Sequence, residues 1–91
     1  MDPQQTWQDM LDAVHQKQWD TARQLADDLH GWLTNKGFPP ITIGDRSFGT
    51  TWHLTIATFT CLAVINRAEE IRRLRRARKT ERKQADGKES S

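Results

Sequence analysis

With 91 residues, 14 basic and 12 acidic side chains and a formal net charge of +2, the chain is at most one small domain, and it leaves little room for a buried active-site cleft of a few hundred cubic ångströms. Its lone cysteine, Cys61, excludes an internal disulfide, and Met1-Asp2-Pro3-Gln4-Gln5 lacks the basic and apolar regions of a secretory signal, so a cytoplasmic protein is expected. The charge is uneven. Residues 1–66 hold four Lys/Arg and seven Asp/Glu, whereas residues 67–91 hold ten and five, which makes an acidic body and a basic arm.

The first predicted helix starts at Asp2 as N-cap, with Pro3 where its missing N–H costs nothing and Gln5 placed to complete a capping box. Trp7, Met10, Leu11 and Val14 share one face, and the helix ends near Gln16. A second helix begins at Trp19. Its stripe is Ala22, Leu25, Ala26, Leu29, Trp32 and Leu33, opposite Asp20, Arg23, Gln24, Asp27 and Asp28.

That helix stops at Asn35-Lys36-Gly37-Phe38-Pro39-Pro40. Gly37 suits the left-handed position, Phe38 folds back, and two prolines forbid continuation. The two helices make an antiparallel hairpin. Trp19-Asp20-Thr21-Ala22 resembles the opening of the second helix in a tetratricopeptide unit, over about thirty residues; no second copy follows to bury a solenoid face, so that family is not assigned.

Residues 38–49 form a connector, in which Ile41-Thr42-Ile43 is β-prone but too short for a sheet. The expectation is an extended segment laying Phe38, Ile41, Ile43 and Phe48 across the bundle, a turn at Gly44-Asp45, and Ser47 or Thr50 as N-cap of the third helix.

Helix three is apolar on two sides in its first half. Trp52, Ile56, Phe59 and Ala63 lie on one, and Leu54, Ala57, Cys61, Ile65 and Ala68 lie roughly opposite. The run from 50 to 65 is short of the ~20 apolar residues of a membrane span and contains five threonines and a histidine, so a core helix is expected. Two apolar faces exceed what two short helices cover. The expectation is therefore a protein partner or a homodimer, docking on Leu54, Cys61, Ile65, Ala68 and Ile71.

Beyond Asn66 the cations Arg67, Arg72, Arg73, Arg75, Arg76, Arg78, Lys79, Arg82 and Lys83 are distributed around the whole helix, with sparse support from Glu69 to Arg73. They are the candidate anion or nucleic-acid contacts, binding phosphates by charge and bidentate geometry. No aromatic residue follows Phe59, so the arm has no platform for stacking bases. A membrane-surface role would want a wider apolar stripe.

Nothing in the sequence points to catalysis or a cofactor. His15, His30, His53 and Cys61 have no helical ligand spacing between them, and histidines at the surface or boundary plus a buried thiol are expected. Adjacent Asp27 and Asp28 diverge rather than converge. Gly44-Asp45-Arg46-Ser47-Phe48-Gly49 precedes a helix but lacks the lysine of a phosphate loop, and Asp45 would repel an anion. No small-molecule substrate is evident. The expected protein is an all-α three-helix bundle: a helical domain over 1–66, a basic helical extension over 67–84 and a disordered tail over 85–91. Its expected role is a non-catalytic interaction module using helix three, with an arm that binds nucleic acid as the alternative.

Overall fold

The computed structural model describes the chain to Glu89, with side chains to Arg78. Among the described residues there are three α-helices and no strand: α1 (Pro3–His15), α2 (Trp19–Thr34) and α3 (Thr50–Glu89), with a 3-10 turn at Arg46–Phe48 before α3. The chain is an all-α three-helix bundle. α2 is the element on which both others pack, and α1 and α3 approach each other far less closely. Helix three is thus a flank of the bundle, and only one of its sides is covered by the body.

Local chemistry accounts for the helix ends. Asp2 caps α1 by accepting from the backbone N–H groups of Gln4 and Gln5, at 3.1 and 3.2 Å, and Pro3 takes the first helical position. The expected capping box is not closed, because the Gln5 amide reaches forward to Asp9 instead. Both α1 and α2 end in the same device. Lys17 (φ 59°) and Lys36 (φ 65°) take the left-handed position, and the following residues close the turn through Gln18 N–H to Ala13 C=O and Gly37 N–H to Trp32 C=O, each 2.8 Å.

Gly37 is therefore not the left-handed residue. Its lack of a side chain serves another purpose: a Cβ there would lie 2.6 Å from Trp32 Cδ2 and closer still to Cε2 and Nε1. The indole lies over the Gly37 backbone, donates to the Phe38 carbonyl at 2.9 Å and meets the Phe38 ring edge-on at 5.7 Å. Phe38 folds back as expected, yet it remains mostly exposed.

The core is a thin layer. Trp7, Met10 and Ala13 come from α1, Ala22, Ala26, Leu29 and Leu33 from α2, and Ala57, Cys61 and Val64 from α3. The small side chains at Ala22, Ala26, Ala57 and Cys61 let α2 and α3 backbones approach, which selects this side of α3 for burial. Ala68 is also buried and Ile71 half-buried, and Arg23 of α2 reaches Glu69 of α3 at 2.8 Å. The body therefore extends past the boundary expected at residue 66. α3 continues to Glu89, beyond the Lys83 end expected for the helix and into the stretch read as a disordered tail; residues 90–91 lie outside the described residues.

Candidate interaction surfaces

The connector is held to the bundle by backbone hydrogen bonds to three side chains. Gln4 bonds both backbone groups of Ile41, Trp52 Nε1 donates to Ile43 C=O at 2.8 Å, and His53 takes the stretch between. His53 is 4% exposed, so the expectation of a surface or boundary histidine is corrected. Its Nδ1 accepts from the Thr42 backbone N–H at 2.9 Å, and its Nε2 lies 2.8 Å from the Asp45 carbonyl. A backbone N–H can only donate and a carbonyl only accept, so the ring is the neutral tautomer with its proton on Nε2.

Asp45 in turn caps the 3-10 turn. It accepts from the Ser47 hydroxyl and from Ser47 N–H at 2.9 Å, and these two bonds, the hydroxyl first, hold its carboxyl below the usual range. Gly49, at φ 94° and ψ 162°, occupies a region nearly closed to other residues. Its carbonyl accepts from His53 N–H, so Gly49 stands at the cap of α3 where Ser47 or Thr50 was expected. Of the residues expected to cover the bundle, Ile41 is half-buried, whereas Phe38, Ile43 and Phe48 are mostly exposed.

An open groove of about 870 Å³ lies between the N-terminus of α1, the connector and the start of α3, lined in part by Pro3, Phe38, Pro40, Ile41, Arg46 and His53. It is an open surface groove, not the buried cleft for which a chain of this length leaves little room. Its two most buried polar contributors are already committed, His53 to Thr42 and Asp45 of the connector and the Ile41 backbone to Gln4 of α1.

Along α3 the covered line is His53, Ala57, Cys61, Val64 and Ala68. The five residues expected to dock a partner are therefore divided. Cys61 and Ala68 are buried in the chain's own core, Ile65 is half-buried against it, Ile71 is half-buried and Leu54 is exposed. The apolar side left open is the opposite one, with Trp52, Phe59 and Leu62 exposed and Phe59 73% so. Phe48 extends this surface, its ring meeting Trp52 edge-on at 5.3 Å.

The arm's cations also divide. Arg67 pairs with Glu70 at 3.1 Å, and Glu69, expected to support Arg73, reaches Arg23 instead. Arg72 shares a shallow cleft with Asp20 and Asp27 of α2, and Arg75 shares another with Asp20 and the α1–α2 turn. These two arginines face the body's own carboxylates. Arg72, Arg73, Arg75, Arg76 and Arg78 are all exposed; the side chains of Lys79, Arg82 and Lys83 lie outside the described residues.

Burial pushes the Cys61 thiol up to about 11, which removes it as a nucleophile near neutral pH. Among the described residues no group of His, Cys, Asp and Glu is arranged to hold a metal ion, and no helix is long and apolar enough to cross a membrane. Compared with protein-family models, with curated proteins and with solved structures, the chain matches none.

Proposed function

We propose that this protein is a non-catalytic helical interaction module, working in the reducing cytoplasm, that docks a protein partner or a second copy of itself through the outer side of α3. The observation that carries the reading is Phe59. It is 73% exposed on a helix backed by the bundle, with Trp52 and Leu62 exposed beside it, and such apolar surface on a small domain is the usual mark of a contact site. The free buried Cys61 fits a reducing compartment.

The test compares tagged full-length chain with Phe59→Asp and with a triple Arg73, Arg76, Arg78→Gln variant, in nuclease-treated extract at low and high salt. Docking through α3 expects capture to survive nuclease and salt and to vanish with Phe59→Asp. Capture indifferent to Phe59→Asp would refute it.

The second reading, nucleic-acid binding by the arm, is favoured by the exposed Arg73, Arg76 and Arg78 beyond the acidic body. It expects affinity for a generic duplex to fall steeply with salt, and each arginine removed to lower the salt slope by about one at most. A slope unchanged in the triple variant would exclude it.

A further inference from the structure

The outer side of α3 is complementary to itself, and this narrows the partner. Trp52, Thr55, Phe59, Leu62 and Asn66 follow one another at spacings of three and four, a short seam of the kind that pairs helices. The seam carries no charge. At its N-terminal end stands the aromatic pair Phe48–Trp52, exposed on both rings. Toward its C-terminal end stands Arg73, exposed and without an ion-pair partner among the described residues. At 1.5 Å per residue the aromatic pair and the guanidinium lie roughly 15–20 Å to either side of the midpoint between Phe59 and Leu62.

Resting on the docking reading above, we infer that the partner is a second copy of this chain, joined by an antiparallel two-fold pairing of α3 on α3 centred between Phe59 and Leu62. In that register Phe59 meets the second copy's Leu62, Thr55 meets the second copy's Asn66, and Arg73 comes to lie over the second copy's Phe48 and Trp52. A cation on an aromatic face and an aromatic face under a cation are thus made twice by one symmetry operation, which is what an isologous interface requires. The parallel alternative sets Arg73 beside its own copy and runs two arginine-rich arms together, a repulsion that the antiparallel arrangement removes by sending the arms to opposite ends.

Size is consistent with a reversible dimer. The exposed parts of Phe48, Trp52, Phe59 and Leu62, at roughly 100 Å² each, with the smaller Thr55 and Asn66 between them, bring about 1,000 Å² into the pair, at the lower edge of specific interfaces.

The experiment uses the full-length chain. Sedimentation equilibrium from micromolar to submillimolar concentration should show a monomer–dimer equilibrium, abolished by Phe59→Asp with the circular dichroism and melting temperature unchanged, and weakened roughly five- to thirtyfold by Arg73→Gln, which removes both symmetry-related contacts. Single Thr55→Cys and Asn66→Cys variants then read orientation under mild oxidation, the native Cys61 being buried and out of reach. Antiparallel pairing expects a disulfide-linked dimer from the mixture of the two variants and little from either alone. Self-linking of Asn66→Cys would overturn the inference in favour of a parallel pair, and a monomer at every concentration would overturn self-pairing itself. In the monomer case, capture that still depends on Phe59 leaves the docking reading standing, whereas capture indifferent to Phe59 removes both.

Discussion

The side-chain amide of Gln4 bonds to both backbone groups of Ile41, 37 residues further along the chain: its Nε2 donates to the Ile41 carbonyl at 3.1 Å, and its Oε1 accepts from the Ile41 N–H at 2.8 Å. One side chain thus does for the β-prone Ile41-Thr42-Ile43 segment what a neighbouring strand would do, and it ties the first turn of α1 to the connector. Both bonds are solvent-accessible, so together they contribute about 1 kcal/mol rather than the sum of two buried bonds. Gln4→Ala should lower stability by that amount in urea titration and raise hydrogen exchange at the Ile41 amide. Gln4→Glu should cost at least as much, because a carboxylate keeps the acceptor and faces the carbonyl with no donor.

His53 makes the corresponding tie on α3, with larger consequences because it is buried. The neutral Nε2–H tautomer is required by Thr42 N–H on one side and Asp45 C=O on the other, and nitrogen-15 shifts of the ring should report it. Replacing His53 with Phe fills the space but strands the amide and the carbonyl, at a cost of about 2–4 kcal/mol. The loss should appear as a lower urea midpoint. Equal stability in the Phe variant would show that the connector finds water in place of the ring.

These ties mark the limit of what the amino-acid order reveals. The helices are visible because apolar spacing in α1 and α2 is regular and Asp2-Pro3 is a strong start signal. The two apolar sides of α3 are also visible, but choosing between them needs a property that periodicity does not carry: backbone approach. Ala22 and Ala26 of α2 accept a small-faced neighbour, so Ala57, Cys61 and Ala68 go inside, and the larger Trp52, Phe59 and Leu62 are left out. A comparison of side-chain size on the facing stripes could have indicated this order. His53 falls four residues before Ala57 on the same line, so its burial was legible too, whereas its hydrogen bonds to a loop eleven residues back were not.

The ends of the hairpin helices give a paired prediction. Lys36 holds a left-handed conformation at φ 65°, which costs a residue with a Cβ about 1 kcal/mol relative to glycine. Lys36→Gly should therefore stabilise the protein modestly, offset in part by the entropy that glycine adds to the unfolded chain. Gly37→Ala should do the opposite, by about 1–3 kcal/mol, because the new methyl displaces the Trp32 ring from the Phe38 carbonyl. Thermal melts of the two variants should move in opposite directions. If Gly37 were retained for its dihedral freedom rather than for the indole, removing the ring with Trp32→Ala would not relieve the Gly37→Ala penalty; the structure expects that it will.

Cys61 yields a prediction for alkaline pH. Its thiol is completely buried between α2 and α3, and burial raises its pKa from the usual 9.0 to about 11, since the thiolate would lose its hydration without gaining a counter-charge. The folded state thus holds its proton at pH values where the unfolded chain has released it. The stabilisation is fully present below pH 9.0 and is lost as pH rises through about 11, because over that window the unfolded state binds fewer protons and stability falls with pH. The comparison that isolates the thiol is wild type against Cys61→Ala. The alanine variant should be less stable at neutral pH by about 1 kcal/mol for the small cavity it leaves, and the gap between the two proteins should narrow as pH climbs from 9.0 toward 11. Labelling gives an independent reading. A thiol reagent should modify native Cys61 only through opening of the α2–α3 interface, with a rate that follows the urea dependence of unfolding, whereas rapid modification without denaturant would show that this interface opens far more readily than its packing implies.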